Sequence, residues 1–208
     1  MNILKTLFLK LSAVACLLMA FTALTACHND DDEPSSWKDR NAYFFYHKYD
    51  SAVGTELVGD SRERVLTKGP YTDEEVIKPE RHVALWVYEE GKGKGCPQPT
   101  DSVKVHIKGY LLSATSYHWD DETAFFFSYQ GKLDTATCQP ATFSADGKMA
   151  NSAIPGVEGL GLAFQNMHIG DHWTVYVPQE LGYGATGCSD LGIPPYSTLI
   201  YDITLVDY

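Results

Sequence analysis

The stretch of sequence that decides the fold lies near the C-terminus and reads LGYGATG at residues 181–187 and IPPYSTLIYDI at residues 193–203. The first part is dense in glycine and small residues, which is typical of a loop. The second part begins with two prolines and continues into apolar and β-branched residues that suit a strand. We therefore expect a loop that contains Tyr183, followed by a C-terminal strand over residues 198–206.

Four more strands are predicted upstream of this stretch. Residues 103–108 alternate between apolar and polar side chains, which is the period of a half-buried strand, and Leu111 and Leu112 extend it past Gly109. Runs of β-branched and aromatic residues predict the other three strands over residues 82–89, 123–129 and 173–177.

Helical patterns are scarcer than strand patterns. Residues 157–167 predict one compact apolar helix, which Gly170 ends. Residues 37–52 contain no Gly or Pro and suit an amphipathic helix, although their many aromatic residues also suit a strand. Residues 54–79 are polar and poorly periodic, which predicts irregular structure. The whole pattern belongs to the α+β class, with a single short helix to cover the sheet.

The composition is that of a globular protein and excludes several functions. Of 208 residues, 44% are hydrophobic and 21% are charged, which is incompatible with a wholly disordered or fibrous chain. The formal net charge of -11 argues against a nucleic-acid partner, because phosphate binding requires clustered Lys and Arg. Downstream of residue 26, no segment of the sequence is apolar enough to span a bilayer.

The first 26 residues predict an export signal. Lys5 and Lys10 precede an apolar run that ends in Leu24-Thr25-Ala26-Cys27, and this ending resembles a bacterial lipobox. The resemblance implies a signal peptide over residues 1–26 and lipidation of Cys27, giving an outer membrane lipoprotein on the periplasmic side or at the cell surface. The alternatives are an ordinary signal peptide cut nearby and an uncleaved anchor. Cleavage would remove both lysines and no acidic residue, which lowers the formal charge from -11 to -13.

Residues 27–36 contain three aspartates and one glutamate and predict an acidic tether. The tether is either a solvated spacer or, by resemblance, the acidic export signal that follows the lipobox in some Bacteroidetes surface lipoproteins. Consecutive aspartates lack the alternating ligand spacing of a calcium loop. The remaining chain divides into an N-terminal extension over residues 37–80 and a domain over residues 81–208.

This C-terminal domain resembles an FKBP-type peptidyl-prolyl cis-trans isomerase. The motifs that carry the resemblance stand in the family's order and nearly its spacing: VHIKG at 105–109, GL at 159–160, MHIG at 167–170, VP at 177–178, and both parts of the 181–203 stretch. The resemblance implies an antiparallel sheet that curls around one short α-helix, with an apolar pocket between the two.

The same resemblance implies an enzyme that accelerates rotation about the X–Pro bonds of exported or surface proteins. This rotation is slow because twisting the bond breaks amide resonance, and an apolar pocket with well-placed donors can accelerate it. Such an enzyme needs no metal and no cofactor, takes proline-containing polypeptides as partners, and is expected to be a monomer. The alternative is a binding or chaperone module that keeps the fold and pocket but turns over little.

Family positions imply the roles of individual residues. Tyr183 would be the phenolic donor to the substrate carbonyl, the backbone amide of Val157 the second donor, and Asp134, in the KLDT segment at 132–135, the pocket carboxylate. The remaining positions would form the walls: Ile107, Leu133, Phe143, Leu160, Ile193 and Tyr201. Residues 107, 133 and 160 are aliphatic where aromatic residues are common in the family, which predicts reduced activity or altered specificity.

Three cysteines follow Cys27 in the exported chain, at positions 96, 138 and 188. Because Cys138 and Cys188 both flank the implied pocket, we predict a disulfide between them, with three free thiols as the alternative. His168 and His172 are four residues apart, but Gly170 separates them at a helix end, so a zinc site is not expected.

Overall fold

The computed structural model describes residues 34, 36–58, 62–69 and 78–208. Within these ranges the chain has two α-helices, α1 (Trp37–Val58) and α2 (Glu158–Phe164). Seven described strands form one antiparallel sheet: β1 (Glu63–Thr67), β2 (His82–Glu89), β3 (Ser102–Tyr110), β4 (Ala124–Phe127), β5 (Ala141–Ser144), β6 (His172–Val177) and β7 (Leu199–Asp207). Short 3-10 helices lie at Pro79–Arg81, Asp121–Thr123, Gln179–Leu181 and Ser189–Leu191.

The strands lie side by side in the order β1-β2-β6-β7-β3, and two short strands share the far edge of β3. The first half of β3, from Ser102 to Val105, pairs with β5. Its second half, from Lys108 to Tyr110, pairs with β4. The chain between β4 and β5 therefore leaves the sheet.

Alternate residues of the long strands face one side of the sheet and build the main core together with α2. Val105 and Ile107 of β3 and Ile203 of β7 are fully buried on this side. Five of the seven residues of α2 are buried as well. A helix of seven residues is too short to be stable alone, so packing against the sheet must hold it. The prediction of an α+β fold with one short helix against an antiparallel sheet is confirmed.

The helix α1 covers part of the opposite side of the sheet. It begins after Ser36, whose hydroxyl oxygen accepts a hydrogen bond from the Asp39 amide at 3.1 Å, as an N-cap does. Its buried residues recur at helical spacing: Asn41, Phe44, Phe45 and Ala52. They pack against a second apolar cluster that includes Ala84 of β2, Tyr176 of β6 and Ile200 of β7. Of the two alternatives left open for residues 37–52, the helix is correct.

The prediction of irregular structure over residues 54–79 is wrong in two places. The helix α1 continues to Val58, and β1 pairs antiparallel with β2 from Glu63 opposite Trp86 to Thr67 opposite His82. Four residues of β1 are partly buried and the fifth is exposed, so the strand carries no clear alternation. An edge strand of this kind leaves almost no periodic signal in the sequence.

Element boundaries also differ from the expected ones by a few residues. The strand β3 ends at Tyr110, so Leu111 and Leu112 lie outside it. The helix α2 is shorter than the expected 157–167, because the amides of Asn166 and Met167 donate to carbonyls three residues back, as in a 3-10 turn.

The described residues from Pro34 onward form one compact unit, in which α1 packs on the sheet and β1 extends it. The predicted signal peptide, Cys27 and nearly all of the acidic tether lie outside the described residues. In the part of the chain that the structure describes, no helix is both long and apolar enough to cross a membrane.

Candidate functional site

A pocket that is partly open to solvent lies at the N-terminal end of α2, between that helix, β4, β5 and the loop after β6. Five of its lining residues are Phe or Tyr, and none carries a side chain that is charged at neutral pH. Such a pocket suits an apolar group with few polar atoms. The lining residues are Phe125, Phe126, Phe143, Gly147, Met149, Ile154, Pro155, Val157, Leu160, Tyr183, Leu191 and Tyr201.

Five residues that the sequence assigned to the site line this pocket together. They come from β5, α2, β7 and the loop after β6, and they are Phe143, Val157, Leu160, Tyr183 and Tyr201. The Phe143 ring is supported from behind by Phe164 of α2, with 5.7 Å between the ring centroids. The fold therefore brings residues from four separate segments of the chain to one cavity.

The Tyr183 hydroxyl is a polar group at the rim of the pocket. It donates a hydrogen bond to the Pro155 carbonyl oxygen, 3.3 Å away. Burial, and after it the neighbouring Cys188 thiol, raises the pKa of Tyr183 to about 12. The phenol is therefore protonated at neutral pH and can act as a hydrogen-bond donor.

Tyr201 is the more deeply placed of the two phenols, with only 3% of its surface exposed. Burial is the main cause that raises the pKa of Tyr201 well above its usual value, with Tyr183 and Cys188 adding to it. Its ring meets that of Phe125 edge to face, 5.8 Å between centroids. Tyr201 therefore serves this pocket as an apolar wall.

The backbone amide of Val157, expected to be the second donor, already has a partner. Val157 directly precedes α2, and its amide donates to the Gly147 carbonyl oxygen at 3.2 Å. A substrate carbonyl could take this amide only by displacing the Gly147 carbonyl.

Asp134 and Leu133, which were expected at the site, do not line this pocket. Asp134 is exposed, and its carboxylate accepts hydrogen bonds from the Ala136 amide and the Thr137 hydroxyl, each at 3.0 Å. It therefore stabilises a surface turn. The strand that pairs with the second half of β3 is β4, at Ala124–Phe127, so residues 132–135 lie beyond the sheet.

Ile107 and Ile193 do not line the pocket either. Both are buried members of the main core, with 0% and 3% of their surface exposed. The backbone amide of Ile107 donates to the Ser128 hydroxyl at 2.9 Å, just after β4. These two residues support the fold rather than form a wall of the cavity.

Phe125 and Phe126 are pocket residues that the sequence reasoning missed. Gly109 lies opposite Phe126, whereas Tyr110 lies opposite Ala124, so the ladder skips Phe125 as in a β-bulge. Through this bulge both adjacent rings reach the same cavity. The signal available in the sequence was the run of three phenylalanines at 125–127, interpreted only as a strand. The predicted loss of aromatic walls is therefore partly offset, because these two rings join the cavity.

The predicted disulfide between Cys138 and Cys188 is not formed, because Cys96, Cys138 and Cys188 are all free thiols. Cys188 is buried beside the pocket, whereas Cys138 lies in the chain that leaves the sheet after β4. Across the described ranges, no group of three or more His, Cys, Asp or Glu side chains could hold a metal ion. His172 instead lies against Asp202, with 2.9 Å between Nε2 and Oδ1.

An antiparallel sheet with one short helix, and an apolar aromatic pocket at the N-terminal end of that helix, are the features expected of an FKBP-type domain. Residues 93–206, more than half of the chain, match the family model of the FKBP-type peptidyl-prolyl cis-trans isomerases. The chain belongs to this family, and the resemblance drawn from its motifs is confirmed.

Three curated relatives illustrate the match. The chain is 34% identical over 122 residues to the FKBP-type 22 kDa peptidyl-prolyl cis-trans isomerase of Escherichia coli, and the aligned segment covers 58% of this chain and 47% of that protein. It is 36% identical over 122 residues to FkpA of the same bacterium, and this alignment covers 58% of this chain and 36% of FkpA. It is 29% identical over 160 residues to the macrophage infectivity potentiator of Trypanosoma cruzi, and this alignment covers 76% of this chain and 70% of that protein. The chain thus spans less than half the length of the two bacterial relatives.

Solved structures of related proteins are similar as well. FkpA from Escherichia coli is 26% identical, with coverage of 93% of this chain and 70% of that chain and a TM-score of 0.45. A peptidyl-prolyl cis-trans isomerase from Pseudomonas syringae is 20% identical, with coverage of 80% and 93% and a TM-score of 0.48. The family assignment rests on the sequence match.

Proposed function

We propose that this chain catalyses rotation about X–Pro bonds of polypeptides, with the proline ring seated in the aromatic pocket. The observation that carries the proposal is the chemistry of that pocket, which combines five aromatic rings with no charged side chain. Twisting the X–Pro amide breaks its resonance and makes it less polar than the planar form. An apolar cavity stabilises the planar amide less than water does, which lowers the free-energy cost of twisting it.

Tyr183 is the donor that the substrate would use. Its hydrogen bond to Pro155 is long, at 3.3 Å, so an incoming carbonyl can replace that partner at small cost. A neutral hydrogen bond contributes about 0.5–1.5 kcal/mol. Since about 1.4 kcal/mol corresponds to a factor of ten in rate, removing the hydroxyl should slow catalysis roughly two- to twelvefold.

The experiment is an NMR-exchange or protease-coupled prolyl isomerisation assay on the full chain and its Tyr183→Phe variant. We expect acceleration over the uncatalysed rate, with kcat/KM about two- to twelvefold lower in the variant. Tyr88→Phe is the matched control, because Tyr88 is exposed and its ring stacks on His172 instead of lining the pocket. No acceleration by the full chain would refute the proposal, and an equal loss in both variants would refute the role of Tyr183.

A binding or chaperone module is the second candidate function. Two observations favour it: the Val157 amide is engaged with Gly147, and Asp134 lies outside the pocket. Both observations reduce the number of polar groups that could act on the carbonyl of a twisted X–Pro bond. This alternative predicts that a proline-containing peptide shifts the NMR signals of pocket residues while its own cis–trans exchange rate stays at the uncatalysed value.

We also propose that the chain acts at the cell envelope as a lipid-anchored folding factor for exported or surface proteins. The support is the lipobox-like ending Leu24-Thr25-Ala26-Cys27 and the acidic tether that follows it. Metabolic labelling with a fatty acid, followed by fractionation, should place label and protein in the membrane. Cys27→Ala should abolish the label, whereas Cys16→Ala, within the apolar run, should not. Labelling that survives Cys27→Ala would refute the anchor.

A further inference from the structure

Beyond the C-terminal end of α2, away from the aromatic pocket, a thiol, an imidazole and a carboxylate lie in line. The Cys96 sulfur is 3.7 Å from Nε2 of His168, which is hydrogen-bonding distance for sulfur. The other ring nitrogen of His168, Nδ1, is 3.6 Å from Oδ2 of Asp171, an ion-pair distance. In this order the imidazole can take the thiol proton, and the carboxylate can orient the imidazole.

Backbone hydrogen bonds hold the carboxylate of this cluster in place. Asp171 is buried, and its two oxygens accept hydrogen bonds from the amides of Gly91 and His168, each at 2.6 Å. The amide of Gly93 also donates to the Ile169 carbonyl at 3.2 Å. The loop between β2 and β3, which carries Cys96, is therefore tied to the turn that carries the imidazole.

The cluster is accessible from solvent. The His168 side chain is 45% exposed, and Cys96 is partly buried. Burial, and after it the charge of Asp171, raises the pKa of the Cys96 thiol. Thiolate is therefore scarce unless His168 takes the proton as the sulfur attacks, which makes the reactivity of Cys96 depend on this imidazole.

We propose that Cys96 is a site of thiol–disulfide exchange with low-molecular-weight disulfides, with His168 as its base and Asp171 as a positioning residue. In the reaction the Cys96 thiol gives its proton to Nε2 of His168, and its sulfur attacks one sulfur of a disulfide R–S–S–R. A new S–S bond forms, the old one breaks, and the leaving thiolate takes the proton back from His168 as R–SH. The products are a mixed disulfide on Cys96 and one free thiol.

The matched comparison is Cys138, which is also a partly buried free thiol. Among the described residues, no imidazole lies within hydrogen-bonding distance of its sulfur, unlike Cys96. The full chain is incubated with oxidised glutathione, and mixed disulfides are located by mass spectrometry of its peptides. We expect Cys96 to react about tenfold or more faster than Cys138.

Two variants then test the assigned roles. His168→Gln should lower the Cys96 rate about tenfold and leave the Cys138 rate unchanged. Asp171→Asn removes a charge that raises the pKa of the Cys96 thiol, so the pH profile of the Cys96 rate should move to lower pH while that of Cys138 stays unchanged. A merely structural role would lower the Cys96 rate without moving its pH profile. Since His168 does not line the aromatic pocket, prolyl isomerisation by His168→Gln serves as the folding control. A Cys96 rate no faster than that of Cys138, or one insensitive to His168→Gln, would overturn the proposal.

Discussion

Tyr183 and Tyr201 share a cavity whose other lining side chains are apolar, and burial favours the neutral form of both phenols. For a group whose charged form is the anion, a raised pKa means that the proton stays bound to a higher pH. With the pKa of Tyr183 at about 12, its hydroxyl remains a donor throughout the neutral range. None of the side chains that line the pocket changes its charge in the neutral range.

We therefore expect kcat/KM for prolyl isomerisation to be flat from about pH 6 to about pH 9, because no group in the pocket changes charge there. The measurement is the isomerisation rate at a series of pH values and constant ionic strength. A bell-shaped or sigmoidal profile with a midpoint in this range would show that an ionisable group outside the lining set takes part. Tyr183→Phe should lower the profile without changing its shape.

Gly109 is a residue whose substitution should disturb two aromatic rings of the pocket. A Cβ atom at this position would lie 2.7 Å from Cζ of Phe125 and 3.0 Å from Cε1 of Tyr201, so both rings would have to move. We expect Gly109→Ala to lower kcat/KM by about tenfold, or 1.4 kcal/mol, while the far-ultraviolet circular dichroism spectrum is retained.

The control is Gly54→Ala in α1, where an added Cβ would meet nothing within 4 Å. Because alanine favours the helix over glycine, this change should stabilise the protein by about 0.5–1 kcal/mol and leave catalysis unchanged. Wild-type kcat/KM in Gly109→Ala would contradict the placement of Phe125 and Tyr201 in the pocket.

At the scale of secondary-structure elements, α1 is joined to the sheet by a buried polar contact as well as by apolar packing. The Asn41 side-chain oxygen accepts a hydrogen bond from the Thr198 amide at 2.8 Å, and the Asn41 carbonyl accepts one from the Thr198 hydroxyl at 3.0 Å. Thr198 directly precedes β7 and follows the loop that carries Tyr183. The contact thus links α1 to the end of that loop.

Asn41→Ala would leave the Thr198 amide buried without an acceptor. The expected loss in the free energy of unfolding is about 1–3 kcal/mol, measured by urea denaturation. Asp50→Ala, at an exposed position of the same helix, should change the free energy of unfolding by less than about 0.5 kcal/mol. Equal effects of the two changes would argue against the buried contact.

The elements differ in how well local pattern predicted them. The strand β6 was recognised from its run of β-branched and aromatic residues, and α2 from a compact apolar segment that Gly170 ends. The site residues on β4 were not, because the partner of β3 depends on register between distant segments. The segment at 132–135 resembled the family motif, but the ladder of β3 is completed by residues 124–127.

At the scale of the whole molecule, the compact unit that begins at Pro34 is larger than the domain 81–208, which carries the family motifs. The fragment 81–208 would lack α1 and β1 and would expose Ala84, Tyr176 and Ile200, which α1 covers. Burial of one large apolar side chain contributes about 1.5–3 kcal/mol, and Phe44 and Phe45 are both buried in this contact. We expect the fragment 34–208 to unfold cooperatively at a higher temperature than 81–208, as measured by calorimetry. Equal midpoints would contradict a stabilising role for α1.

The sequence by itself determined the α+β class, the family, and the residues of the 181–203 stretch that place Tyr183 and Tyr201 at one site. These features depend on local periodicity and on motif spacing, which are properties of the chain alone. Only the tertiary structure decided that Phe125 and Phe126 enter the pocket, that Asp134 stays outside it, and that Cys96 meets His168. Each of these three outcomes depends on which distant segments of the chain become neighbours. Core packing and strand register determine those neighbours, and both are properties of the whole fold rather than of any one segment.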